Sequence, residues 1–345
     1  MATTPARGTG SGVTINRVFL VSLAFVAAIG GWGLVDPEGM TGAALGFTNY
    51  MLAGISWYWL LICSGFVILA GYMAFGPYRH VKLGEDDEEP EFSTASWIAM
   101  LFAGGMGAGL LFWGVAEPIY HFRGPPGMEG ETADAARAAL IITNLHWGLH
   151  AWSIYGVCAL VIAYFTFRKG KSSMISTPIA ALFDGRSGRT IGEIANILGV
   201  LAVVFGLAGS LTMGTLQVRA GLTETIGTPL DISMSLVIMA VLFVCYMLSA
   251  TTGVDKGIKI LSNLNMVIAI LLMVFVIVFG PTSFIFETFV DSIGQYFASI
   301  PTAAFHLYPF EGLQGWTSGW TLTYLIWWLA WGPFVGIFVA RISRG

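Results

Sequence analysis

The sequence predicts an all-α integral membrane protein of about eight transmembrane helices plus one amphipathic surface helix. Three observations predict this class. Of the 345 residues, 56% are hydrophobic and only 10% are charged, where a soluble domain carries about 25% charged residues. Apolar runs long enough to cross a bilayer, about 20 residues each, recur along the whole chain. The Lys and Arg residues between those runs fall mostly on one side of the membrane.

Taken in order, residues 1–15 are rich in Gly, Thr and Ser and are expected to form a disordered tail. The first span, about 17–36, is too long for a signal-peptide core and lacks a small-residue cleavage pattern, so it is expected to remain. The second span runs over about 49–75, and the polar loop after it carries the acidic run Glu85 to Glu89 and then Pro90-Glu91-Phe92-Ser93. Spans three to seven are predicted at about 94–119, 138–167, 190–218, 230–250 and 258–280. Over 284–300, Phe286, Phe289, Val290, Ile293, Phe297 and Ile300 recur at helical spacing opposite Glu287, Asp291, Ser292 and Gln295. That pattern predicts a helix along the membrane surface. The eighth span covers about 321–340.

Sixteen Lys and Arg residues fix the orientation. With a cytoplasmic N-terminus, only Arg123, Arg137 and Arg219 fall outside and the other thirteen fall inside, as the positive-inside rule requires. A multi-pass protein of the cell membrane follows. Cys63, Cys158 and Cys245 lie in apolar spans at unrelated spacings, without a disulfide or metal signature. No nucleic-acid partner is expected.

The third span contains Gly104-Gly105-Met106-Gly107-Ala108-Gly109. Each glycine weakens a helix by about 1 kcal/mol relative to alanine. In hydrocarbon, unwound backbone is tolerable only where it lines a cavity, and carriers use such breaks to hold substrates and ions. The other account is a small-residue stripe against which a second helix packs closely. Spacing alone leaves both open; the rest of the chain favours a binding site.

Two mid-span aromatic groups supply that weight. On a continuous helix turning about 100° per residue, Trp147, Tyr155 and Trp152 share one face of span four. Trp327, Trp331 and Trp328 likewise cluster on span eight. Single Trp and Tyr residues usually mark the membrane–water boundary. Two facing clusters would instead make a box of π-faces for a cation that has no N–H to donate, such as a quaternary ammonium. His146 and His150, four apart, have helical metal-ligand spacing, but the sequence shows no acidic or thiol partner near them, so packing and hydrogen bonding are expected rather than a metal site. Glu117, at the outer end of span three, is expected to be solvated or to cap a neighbour. No nucleophile–base set, phosphate loop or hydrolase motif is present, so no enzyme is predicted.

The chain resembles the betaine/carnitine/choline transporter family. The resemblance rests on Pro90-Glu91-Phe92-Ser93, Gly105-Met106-Gly107-Ala108-Gly109, Trp113-Gly114-Val115-Ala116-Glu117-Pro118 and the stretch His146 to Tyr155. It rests further on Leu261-Ser262-Asn263 and on Trp327-Trp328-Leu329-Ala330-Trp331-Gly332-Pro333-Phe334-Val335-Gly336, continuing to Gly345. It implies secondary active uptake of quaternary ammonium compounds such as glycine betaine, a LeuT-like inverted-repeat fold and a homotrimer in the lipid bilayer. By motif position, Trp147, Trp152, Tyr155 and Trp328 would form the box and Trp331 a second aromatic station towards the cytoplasm. Gly105, Met106, Gly107 and Gly109 would lie against the substrate, their backbone N–H groups facing its carboxylate.

The resemblance also implies a division of the chain: after the tail 1–15, two N-terminal helices in 16–75, a first five-helix repeat in 76–282, an extracytoplasmic segment with the amphipathic helix in 283–320, and the first helix of a second repeat in 321–345. The family fold has twelve spans, so the chain is expected to be incomplete. Sodium or a proton is the expected coupling ion, and no resident cofactor or metal is expected. Sodium-coupled members carry hydroxyl side chains on the fifth span where this sequence has Val203 and Leu207, which offer a hard cation no oxygen. The alternatives are proton-coupled choline or carnitine uptake and a membrane protein that does not transport. Some choline-type members carry an acid within the glycine stretch, where this chain has Gly109, which favours a zwitterion.

Overall fold

A computed structural model describes residues 16–105, 107–183, 185–252 and 257–345. The predicted tail 1–15 and the candidate residue Met106 lie outside the described residues. Within them the secondary structure is helical, without a strand.

Helix α1 (Arg17–Val35) starts where Asn16 Oδ1 accepts the Phe19 N–H at 2.9 Å. Asp36 ends it and caps α2 (Pro37–Phe75), accepting from Gly39 N–H, with Pro37 in the first turn where its missing N–H costs nothing. A kink at Ile55 divides α2, and Gly54–Phe75 is the part long and apolar enough to cross a membrane. The third predicted span is two helices, α3 (Thr94–Gly105) and α4 (Ala108–Arg123). The fourth is also two, α5 (Ala133–Trp147) and α6 (Leu149–Ala163), the latter running into a wide π-type turn over Tyr164–Arg168. Short α7 (Ser176–Ala180) precedes α8 (Gly185–Ile226), which extends past the predicted 190–218 at both ends. Then come α9 (Ile232–Thr252), α10 (Lys259–Phe279), the amphipathic α11 (Thr282–Ala303), one-turn α12 (Gln314–Thr317) and α13 (Thr323–Ile342).

Among the described residues seven spans are long and apolar enough to cross a membrane, and eight if the bent α3–α4 pair counts as one. Large apolar side chains such as Leu271, Phe275 and Val278 on α10 are exposed, as a hydrocarbon solvent permits. Of the cysteines, Cys63 is buried, Cys158 half-buried and Cys245 exposed.

The core lies between α6 and α13, which make the most extensive helix contact in the structure. Small residues allow it. A Cβ at Gly336 would lie 2.9 Å from Cys158 Cβ, and one at Gly332 would lie 3.1 Å from Ile154 Cγ2. The pair is a small-xxx-small seam, which lets two backbones approach without a hydrophobic drive between them. At the Arg341 end the acidic loop holds the same helices. Arg341 forms a two-pronged pair with Glu91 at 2.7 and 3.0 Å, Arg168 reaches Asp86 at 2.6 Å, and Arg344 reaches Glu88 at 2.6 Å.

Two outcomes test this packing. Gly336→Val should lower the melting temperature by the equivalent of about 1–3 kcal/mol of overpacking, whereas Gly209→Val, which meets nothing within 4 Å, should leave it nearly unchanged; equal effects would refute the seam. The Arg341 guanidinium holds the Glu91 carboxyl below its ordinary value. A lowered carboxyl stabilises the fold above the ordinary range and loses that contribution as pH falls through the lowered value. Detergent melting curves should therefore fall less steeply on acidification below about pH 4.5 in Arg341→Gln than in the native chain.

Candidate functional site: a cavity between two broken helices

The site is built around two interruptions of helical backbone. At the first, the axes of Thr94–Gly105 and Gly109–Arg123 differ by 67°. Gly107 is non-helical (φ −108°, ψ −137°), and no side chain caps the start of α4. The glycine stretch thus breaks the helix, and it also lets neighbours close in. A side chain at Gly105 would lie 2.7 Å from the Trp152 ring, and one at Gly104 would run into the Phe338 ring of α13.

The second interruption is at Gly148 (φ −92°, ψ −128°), where a Cβ would lie 2.7 Å from the Tyr296 hydroxyl. Two of the backbone groups released there find side chains from elsewhere in the fold. The Leu149 N–H donates to Tyr296 Oη at 3.0 Å, and Trp328 Nε1–H donates to the His146 carbonyl at 2.7 Å. The one continuous helical wheel assumed for residues 146–155 is therefore two wheels. Trp147 belongs to α5, and Trp152 and Tyr155 belong to α6.

Between the breaks lies a cavity of about 620 Å³. Gly105, Gly107 and Gly109 line one side; Trp147, Tyr155, Trp327, Trp328, Trp331 and Phe334 line the other. Trp328 is the hub of the rings, 5.1 Å from Trp147, 6.0 Å from Tyr155 and 5.2 Å from Trp327 between centroids. Trp147, Tyr155 and Trp328 are thus brought together as expected. Trp152, expected in the same box, is not among the residues that line the cavity; it lies 6.1 Å from Tyr155 with its ring over Gly105. Trp331 lines the cavity farther along α13 and packs against Gly206 of α8. Gly109 sits between two indoles, where a Cβ would be 3.5 Å from both Trp147 and Trp327.

Sequence reasoning missed several lining residues. Trp327 was on the right stripe of span eight, and its stacking on Trp328 makes it part of the wall. Ser262 was inside the Leu261-Ser262-Asn263 motif, and Ser210 carried no signal. Leu207 lines this cavity, while Val203 lies in a second one of about 360 Å³ beside Asn196 and Phe334.

Two expectations are overturned. Glu117 is neither solvated nor a surface cap; it is fully buried. His146 does have an acidic partner, since its Nδ1 lies 2.5 Å from Glu117 Oε1. The partner was hidden because it comes from another helix, 29 residues away in sequence. The same oxygen accepts from His121 Nε2 at 3.2 Å, and Oε2 accepts from Trp147 Nε1–H at 2.6 Å. His150, also buried, instead meets Ser64 Oγ at 3.4 Å.

A multi-pass helical membrane protein whose broken spans enclose a cavity of rings and bare backbone has the architecture of a transporter. The chain belongs to the BCCT family, the betaine/carnitine/choline family transporters, whose family profile matches residues 17–345. That family is one of transporters, not enzymes. The glycine betaine transporter OpuD of Bacillus subtilis is 43% identical over 96% of this chain and 65% of its own length. The ectoine/hydroxyectoine transporter of Virgibacillus pantothenticus is 38% identical over 96% of this chain and 66% of its own. The glycine betaine transporter of Acinetobacter baylyi is 34% identical over 99% of this chain and 52% of its own. The chain thus spans about two thirds or less of the length of these relatives.

The break at Gly148 yields a prediction. Tyr296→Phe removes the acceptor of the Leu149 N–H and should cost about 1 kcal/mol, with faster hydrogen exchange at the Leu149 amide than in the native chain. Unchanged exchange would mean that Tyr296 does not support the break.

Proposed function

We propose that this protein is part of a secondary active transporter that takes up quaternary ammonium compounds such as glycine betaine, an osmoprotectant. The observation that carries the proposal is the ring geometry. Four aromatic side chains, Trp147, Tyr155, Trp327 and Trp328, converge on a cavity whose described lining contains no carboxylate. A trimethylammonium group cannot donate a hydrogen bond, and π-faces are the groups that attract it without requiring one. The uncapped start of α4 faces the same cavity, and helix N-termini favour anions. A zwitterion would then place its cation among the rings and its carboxylate at Gly107 to Gly109. Relatives named as glycine betaine transporters support this substrate.

In this reading the fold is LeuT-like. Helices α1 and α2 precede the first repeat, which runs from α3 to α10; α11 is extracytoplasmic, and α13 opens the second repeat. The N-terminus is cytoplasmic, as the charge distribution favours, and the protein works as a homotrimer in the cell membrane. Sodium or a proton drives uptake. Val203 and Leu207 offer no oxygen ligand, which argues against a sodium ion held at those two positions of the fifth span.

Two experiments, run by tryptophan-fluorescence titration and by uptake, bear on the proposal. Trp327→Ala should weaken glycine betaine binding at least about tenfold, since a desolvated cation–π contact is worth about 2 kcal/mol. Trp57→Ala, at an exposed position of α2, should leave binding unchanged; equal effects would remove the ring wall from the argument. Gly109→Asp puts a carboxylate between the Trp147 and Trp327 rings, where it attracts a cation and repels the negative end of a betaine. Competition between betaine and choline should shift towards choline, and an unshifted ratio in a folded, active variant would exclude Gly109 from specificity.

A further inference from the structure

The aromatic wall accounts for the rings but not for the most completely buried charged cluster in the described structure. Glu117, His121 and His146 are exposed by 0%, 1% and 0% respectively. They come from the far end of α4 and the end of α5, with Thr321 from the turn before α13 as the fourth member, 3.0 Å from His146 Nε2. A buried carboxylate is costly unless it is fully hydrogen-bonded, and this one is. It accepts from His146 Nδ1–H, His121 Nε2–H and Trp147 Nε1–H. With Nδ1 of His146 as the donor, its Nε2 accepts the Thr321 hydroxyl, so the bonding pattern assigns the tautomer.

One carboxylate and two imidazoles within 4.8 Å of one another also have the composition of a metal site. The His146–Glu117 distance argues against it. Two ligands of a tetrahedral ion, each about 2.0–2.1 Å from the metal, stand about 3.3 Å apart, whereas His146 Nδ1 and Glu117 Oε1 are 2.5 Å apart. That is a hydrogen bond, with no room for an ion between its ends.

We infer that Glu117 is a positioning residue for the substrate cavity: its buried carboxylate fixes the plane of the Trp147 indole through the 2.6 Å Nε1–H···Oε2 bond and so presents that ring face to the bound cation. Three constraints act on the indole together. Its N–H is held by Glu117, its edge meets the Trp328 ring at 5.1 Å, and the Tyr324 ring packs against it at 5.4 Å. A tryptophan has two soft side-chain torsions, and attraction to a ring face depends on where that face points. Anchoring the nitrogen removes the remaining rotation before the substrate arrives, so binding need not bear that ordering cost. His146 and Thr321 orient the carboxylate in turn, much as an outer shell orients a ligand. The inference rests on the quaternary-ammonium reading above.

The test is a double-mutant cycle with a readout that needs no substrate. Glu117→Gln keeps the shape but gives up one acceptor oxygen, and should weaken glycine betaine binding about tenfold in the native background. In a Trp147→Phe background, which keeps a ring and lacks the donor, the same change should cost less than about twofold. His150→Gln changes a buried imidazole of the same stretch that meets Ser64 rather than Glu117 and should leave affinity within about twofold, which separates positioning from general loosening of the core. In a ¹⁵N-labelled protein in lipid nanodiscs, the Trp147 indole N–H resonance, assigned by Trp147→Phe, should move upfield in Glu117→Gln. Equal losses in both backgrounds, or a loss in His150→Gln as large as in Glu117→Gln, would overturn the inference. So would an indole resonance that does not move, whatever the binding result. If the resonance moves but the native protein binds no quaternary ammonium ion, the hydrogen bond stands and the substrate reading fails.

Discussion

Inside a bilayer, a backbone N–H or C=O released from a helix has no water to turn to, so each break must find its partners within the protein. This chain breaks its third and fourth spans, and much of its architecture follows from those two places. At Gly148 two of the released groups, the Leu149 N–H and the His146 carbonyl, are taken by Tyr296 of α11 and by Trp328 of α13. The amphipathic helix and the last span are thereby tied to the two sides of the same break. At Gly107 the start of α4 is left uncapped and faces the cavity. One break is bridged by side chains of other helices, and the other has no side-chain cap.

The closure at Gly148 also explains why the rings stand where they do. Trp328 carries a backbone hydrogen bond on its nitrogen and a ring face in the cavity, so a single side chain serves fold and site. Trp147 is held in the same manner by Glu117. Both indoles are fixed by their one polar atom, which leaves their apolar faces free to line the cavity. The close α6–α13 seam at Gly332 and Gly336 brings Tyr155 and Trp328 within ring contact. Small residues in the seam and large ones in the wall are two parts of one packing solution.

The number and order of spans were legible because a bilayer leaves a coarse signal: about 20 apolar residues for each helix. The breaks were only half legible. Four glycines in six residues announced the first, whereas the lone Gly148 gave no warning, and a continuous wheel was drawn through it. Trp147, Tyr155 and Trp328 could be grouped because they recur on helical stripes. Trp327 could have been added on the same ground. Glu117 could not be paired with His146, since nothing local in either stretch reports the other, and a carboxylate near the end of a span looks solvated until the helix that covers it is known. Cross-helix polar contacts of this kind are set by tertiary packing, and single-sequence periodicity does not carry them.

The account stands or falls on where the cation sits. The most direct measurement is a pair of high-resolution maps of the protein in lipid, with and without glycine betaine. The account predicts new density for the trimethylammonium group within about 6 Å of the Trp147, Trp327 and Trp328 ring centroids, with the carboxylate end at the Gly107 to Gly109 break. Density with the ends reversed, or in the smaller cavity beside Val203 and Asn196 with the ring wall empty, would contradict it.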